Sequence, residues 1–284
     1  MPIEKIINLL VLVTLFEMMM VTGLGVRAQQ VMAVASNWRL VSRAAIANYI
    51  FVPACAFILL RLYQSPPLIA AGFLIAAACP GAPYGPPFTS LAKGQVPVAV
   101  GLMVVLAGSS AILSPLVLRL LLPLTSGKQH LDINVVRMVS ILLMAQLLPL
   151  AIGMSVRAFL PALAEKLALP GKRLSVVLNL ALFALILSVH YPILLQIRPI
   201  GFVGMAALAL MSVGFGWLSG EGGKGVRTAS AFLTGVRNAG VSLVIATSSF
   251  PGTAAVTAAL AYALFQTIIL AVLAVAWGRY AATG

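Results

Sequence analysis

Acid side chains are nearly missing from this chain: five Asp and Glu stand against eighteen Lys and Arg in 284 residues, and charged residues total 8%. A soluble domain carries about a quarter charged residues, so this share excludes an ordinary water-solvated surface. Cysteine and histidine are equally scarce, at two each. Cys55 and Cys79 both fall inside apolar segments, which excludes a disulfide framework and marks them as small core residues. No His, Cys and carboxylate cluster and no Ser-His pair has the spacing of a reactive or metal site, so neither an enzyme nor a cofactor is expected. The basic residues sit singly at the ends of apolar runs and form no stripe with aromatics, which argues against nucleic acid as a partner. Long polar connections are missing too. The longest, Arg27 to Arg43 and Leu124 to Ile133, leave no room for a soluble domain.

What is present is hydrocarbon: 62% hydrophobic residues and a mean hydropathy of +1.10. At about 20 apolar residues per span, nine transmembrane helices are predicted, at roughly 5–26, 44–63, 68–92, 96–123, 134–160, 172–195, 198–219, 226–248 and 252–278. The expected class is an all-α integral membrane protein, one transmembrane domain over 1–284 set in the lipid bilayer. The first run begins at Ile6, is long enough to span, and is expected to stay in place as the first helix. Eleven basic residues, Arg43, Lys93, Lys172 and Lys224 among them, fall on one side of this arrangement and six on the other. The positive-inside rule then puts the N-terminus outside and the C-terminus in the cytoplasm, in a bacterial inner membrane. Arg237 belongs to neither side.

Two of the spans are interrupted. The third contains Cys79-Pro80-Gly81-Ala82-Pro83-Tyr84-Gly85-Pro86-Pro87, and the eighth contains Thr234-Gly235-Val236-Arg237-Asn238-Ala239-Gly240. Unwound backbone at membrane depth is tolerated only where it is buried in protein or lines a cavity, because lipid cannot hydrogen-bond the freed groups. A pair of Pro-kinked helices is the plain alternative, but so dense a run of Pro and Gly ends a helix rather than bending it. The breaks are five helices apart, and an odd offset makes the second copy enter from the opposite face. This predicts an inverted repeat, about 5–123 and about 134–278, with two crossed discontinuous helices, the layout of a secondary transporter.

These segments resemble the bile acid:sodium symporter family. Cys79-Pro80-Gly81 with the downstream Leu91-Ala92-Lys93-Gly94 is similar to that family's C-P-G-G-x-x-S-N and L-A-[KR]-G segments. Gly235-Val236-Arg237-Asn238-Ala239-Gly240 is similar to its E-x-G-x-Q-N-[AS]-G, and Asn48, five residues before Pro53, stands where the family has a Gln. The resemblance implies a bundle of panel and core parts, with substrate and ions held beside the crossing, in a nine-helix variant lacking the first helix of ten. It also marks departures. The family's Ser-Asn pair falls on Gly85 and Pro86, further hydroxyl ligands on Ala99 and Met103, its acid on Leu233, and its Gln on Arg237. Sodium needs several hard oxygen ligands. Both sodium sites, as the family builds them, are expected to be gone.

Arg237 is the residue that most needs explaining, since an arginine at bilayer depth costs at least about 2.5–3.5 kcal/mol unless paired or hydrated. Three partners are open: free carbonyls of the break, with the arginine as a tethered cation in a sodium position; an anionic substrate, gripped by the planar guanidinium fork; or Glu17, the acid deep in the first helix. Glu17 could otherwise load and unload a proton during transport. The candidate substrate and ion site is therefore Arg237, Asn238 and Thr234 at the second break, Tyr84, Gly85 and Pro86 at the first, and Glu17 and Asn48 from neighbouring helices. The reading is a secondary transporter of small organic anions working by alternating access. It does not use sodium through the family's usual sites and is either proton-coupled or driven by the substrate gradient. A sodium symporter with rearranged ion sites and a non-transporting membrane receptor or sensor of the same fold are the alternatives.

Overall fold

The computed structural model describes residues 3–125, 131–194 and 198–283. In chain order the helices are α1 (Ile3–Gly25), α2 (Ala28–Ala35), α3 (Trp38–Ile46), α4 (Val52–Leu62), α5 (Pro67–Ala77), α6 (Gly85–Leu91) and α7 (Val96–Thr125). They continue as α8 (Val135–Leu142), α9 (Leu148–Phe159), α10 (Pro161–Leu194), α11 (Pro199–Ser219), α12 (Lys224–Gly235), α13 (Ala239–Ser249) and α14 (Ala254–Thr283). Among the described residues eight helical stretches are long and apolar enough to cross a membrane, and Pro67–Ala77 is a shorter apolar helix. That shorter helix is the first half of the third span, cut off by the break.

Two expected boundaries move. The second span begins at Trp38, six residues before the expected 44, because the Asn37 side chain accepts from Leu40 N (3.2 Å) and caps the helix there. The sixth begins at Pro161 instead of about 172, since Glu165, Lys166, Lys172 and Arg173 end an apolar run without ending a helix. Charge marks where the chain leaves hydrocarbon, and helical hydrogen bonding continues past that level.

α3 and α4 form one span joined by a wide π turn at Ala47–Phe51, and α8 and α9 are joined in the same way at Leu143–Leu147. A proline follows each turn, Pro53 and Pro149. At the first, Val52 N reaches back five residues to Ala47 O. The next amide in that register would be that of residue 53, which proline lacks, so the carbonyl of Asn48 is left for another donor.

Small residues set the close helix contacts, as expected where lipid gives no hydrophobic drive for association. α1 meets α9 where Gly23 and Gly153 face each other: a β-carbon on Gly153 would stand 2.9 Å from Gly23 Cα. α5 meets α14 at Gly72 and Ala255, and α11 meets α12 at Gly216 and Ala231. The result is a three-helix panel of α1, α8–α9 and α10 beside a larger core built around the two broken helices. The core holds the most deeply buried segments, with residues 70–77 of α5 and 228–235 of α12 buried throughout.

Candidate functional site

The helix α5 stops at Ala77 because Pro80 and Pro83 supply no amide hydrogens and Gly81 takes a left-handed φ of 81°. Gly81 also lies so close to the backbone of Ala107 in α7 that a β-carbon there would stand 2.6 Å from Ala107 Cα. Four of the carbonyls freed by the break find these donors. Ser114 Oγ donates to Ala78 O (2.7 Å), Asn238 N to Cys79 O (2.8 Å), Asn238 Nδ2 to Gly81 O (3.3 Å) and Gly85 N to Ala82 O (3.1 Å). Two of these donors belong to Asn238, so the breaks meet, as the sequence predicts. Asn238 closes the other side by accepting from Val241 N (3.2 Å) and capping α13.

Arg237 stands at this crossing and is 1% exposed. Its Nη1 donates to Asn48 Oδ1 (2.6 Å) and Thr234 O (3.2 Å), and its Nη2 donates to Ala77 O and Asn48 O (3.4 Å). The Asn48 carbonyl is the one released by the π turn and Pro53. Asn48 Nδ2 in turn donates to Thr234 Oγ1 (3.1 Å) and to Ala44 O (2.9 Å). Ala77 and Thr234 lie at the C-terminal ends of α5 and α12, where each helix presents roughly half a negative elementary charge. Two such ends balance one guanidinium. The backbone of Arg237 is fixed as well: its N donates to Gln266 Oε1 (3.1 Å), and Gln266 Nε2 donates to its O (3.0 Å).

Glu17 is elsewhere. It accepts from Ser175 Oγ with both oxygens (2.8 and 3.0 Å), linking α1 to α10 within the panel. Among the described residues the ion pairs are Arg157–Glu165 (3.2 Å) and Arg43–Glu221 (4.0 Å), so the expected option of an Arg237–Glu17 pair is not realised. The guanidinium bonds amide and carbonyl oxygens, while Glu17 is engaged by Ser175 within the panel.

Between panel and core lies a cavity of about 380 Å³. Met18, Val21 and Thr22 of α1, Tyr84 and Pro86 of the first break, Met103 of α7, and Lys172 and Ser175 of α10 contribute to its wall. Arg237 does not. Gly85 is buried behind the wall, where a β-carbon on it would stand 2.8 Å from Leu233 Cδ1. The sequence-selected residues thus divide into two groups. Arg237, Asn238, Thr234 and Asn48 form the closed crossing, whereas Tyr84 and Pro86 face the cavity and Glu17 stands beside it through Ser175.

Four contributors escape the sequence reading: Gln266, Ser114, Ser175 and Lys172. Gln266 is the most polar residue inside the last span, which is a signal, but nothing in its neighbours connects it to residue 237. Lys172 reads as a span end, and only the continuation of α10 carries it to the cavity.

A model of the sodium bile acid symporter family matches residues 12–201. The chain belongs to that family. Along 277 residues it is also 25% identical to the uncharacterized sodium-dependent transporter YocS of Bacillus subtilis, covering 94% of this chain and 83% of that protein. A sodium bile acid symporter family member with these helices is an integral membrane secondary transporter. The family match includes the first break and ends before the second, so it reaches Tyr84, Gly85 and Pro86 but not Arg237.

Proposed function

We propose that this protein carries small organic anions across the membrane by alternating access of panel and core, and that it does so without the sodium ions of its family. One observation carries the sodium half of this reading: the Arg237 guanidinium bonds the carbonyls at the ends of both half-helices, Ala77 O and Thr234 O. Carbonyls at such unwound ends are the usual ligands of a coupling cation. Here a covalently held cation takes them. The other sodium position is filled by hydrocarbon, since Leu233, where the resemblance places an acid, packs on Gly85, where it places a serine.

The cavity supports the substrate half. Its wall is mostly apolar, with Lys172 as the cation and Thr22, Tyr84 and Ser175 as neutral hydrogen-bonding groups. That combination suits an anion with an apolar body. Glu17, hydrogen-bonded to Ser175 at the cavity edge, is the carboxylate placed to carry a proton with the substrate.

The name of the Bacillus subtilis relative favours a second reading, a sodium symporter with rearranged ligands. A thermal-shift screen of the purified protein against organic carboxylates, sulfonates and phosphates, run in potassium and in sodium buffers, separates the two. A ligand at about 100 times Kd adds roughly 2.7 kcal/mol of stability. The first reading requires equal stabilisation in both buffers and counterflow of the same ligand in sodium-free proteoliposomes. Stabilisation confined to sodium overturns it.

A further inference from the structure

A second cavity of about 750 Å³, none of whose wall residues lies in the panel, opens beside Lys93 and Lys224 at the end of the bundle where the sequence puts most of the Lys and Arg. Its wall holds Lys93 at the end of α6, Lys224 and Thr228 of α12, Trp217 of α11, and Trp277 and Tyr280 of α14. It shares no wall residue with the transport cavity. We infer that it binds the phosphate headgroup and upper acyl chains of an anionic phospholipid from the leaflet at that end.

The chemistry is divided as such a lipid is divided. Lys93 and Lys224 are both exposed, so their ammonium groups are available to a phosphate. Arg227 adds a third cation at the rim, its Cζ 6.0 Å from the Trp217 ring centroid. Next to them the Trp217 and Trp277 rings stand 5.2 Å apart, and Tyr280 is 83% exposed. Trp and Tyr collect where headgroups meet hydrocarbon. Leu273 and, one turn further in, Ile269 continue that face of α14 as partly buried hydrocarbon toward the middle of the membrane. A soluble phosphate would use the cations and leave this apolar half of the cavity wet. A phospholipid fills both halves, and basic pockets of this build are where anionic headgroups settle.

The backbone carries a separate sign. Lys93 sits at a φ of 59°, a left-handed conformation that disfavours a β-carbon, although the very next residue is Gly94. Its N donates to Ser90 O (3.1 Å) and Gly94 N to Thr89 O (2.9 Å), which closes α6 and fixes where the lysine side chain leaves the helix. Gln95 N then donates to Gly225 O (3.0 Å), holding the end of α6 against the start of α12. One bound headgroup therefore clamps the outer ends of both broken helices.

Tryptophan fluorescence tests this directly. The chain has three tryptophans, and Trp38→Phe leaves Trp217 and Trp277, both in this cavity wall. The protein is reconstituted in phosphatidylcholine with a small fraction of chain-brominated phosphatidylglycerol, or with the same fraction of brominated phosphatidylcholine. The expected result is stronger quenching by phosphatidylglycerol, with a preference of about fivefold for each lysine. In Lys93→Gln/Lys224→Gln the excess should shrink to the share that Arg227 keeps, with unchanged Tm in phosphatidylcholine because both side chains are exposed. Equal quenching in the Trp38→Phe protein, or an excess undiminished by loss of both lysines, overturns the site. Glycerol 3-phosphate abolishing the excess at equal phosphate concentration overturns the lipid as its occupant. Failure of any of these leaves the transport reading untouched, since that rests on the other cavity.

Discussion

Leu233 fills the space in front of Gly85, with its Cδ1 2.8 Å from where a β-carbon on that glycine would stand. Both residues are buried, and neither side chain carries an oxygen. The packing predicts strong coupling between the two positions. Gly85→Ser should destabilise by about 1–3 kcal/mol through overpacking, and Leu233→Ala by about 2–5 kcal/mol through the space it leaves. Unfolding in detergent should show the double variant costing less than the sum of the two by about 1 kcal/mol or more. Additive costs would mean that the two side chains do not share that space.

Arg237→Gln strips donors from Ala77 O, Thr234 O and both oxygens of Asn48. Each buried acceptor left without a donor costs about 1–3 kcal/mol, so a large drop in Tm and loss of transport are expected. Arg237→Lys keeps the charge but not the planar fork, and should fall in between. The diagnostic arm is sodium. Exchanging potassium for sodium should leave the parent Tm unchanged and raise that of Arg237→Gln, whose carbonyls are then free to hold an ion. A sodium effect on the parent argues against the tethered cation.

Lys172 brings a cation to the cavity wall. Lys172→Gln should weaken anion binding by about tenfold, the cost of one charge-assisted hydrogen bond of about 1.5 kcal/mol, with little change in Tm because the side chain is exposed. Titration of a stabilising ligand by thermal shift reads both at once. Unchanged affinity would move the substrate out of this cavity.

Glu17→Gln keeps an acceptor for Ser175 and removes the titratable proton. Uptake driven by an imposed pH gradient should be lost, while counterflow at equal pH on both sides persists. If gradient-driven uptake survives the change, the carboxylate has only a packing role.

The breaks were readable from composition alone because Pro and Gly act locally: Pro80, Pro83 and Gly81 end α5 whatever surrounds them. Arg237 announced itself through cost, being a charge inside an apolar run. Its partners could not be read in the same way. The Ala77 carbonyl has no side-chain signature, and the Asn48 carbonyl becomes free only through the combination of a π turn with Pro53. Three candidate partners are open in the sequence, and the guanidinium reaches the carbonyls because α5 and α12 end side by side. The cavity was the least legible part, since Lys172 enters it only because α10 extends back to Pro161.

Because the cation at the crossing is part of the polypeptide, it goes nowhere when the substrate moves. A sodium symporter offsets the charge of its anionic cargo with ions travelling alongside. This protein's crossing contributes nothing to that balance. A monoanion crossing alone therefore feels the full membrane potential, and an interior-negative 100 mV pushes it outward by about 2.3 kcal/mol. A single proton riding on Glu17 would make the same cycle electroneutral and its direction a matter of pH and concentration. On the proposed sodium-free cycle that outward push is offset only by an inward anion gradient of about fiftyfold or by a co-transported proton.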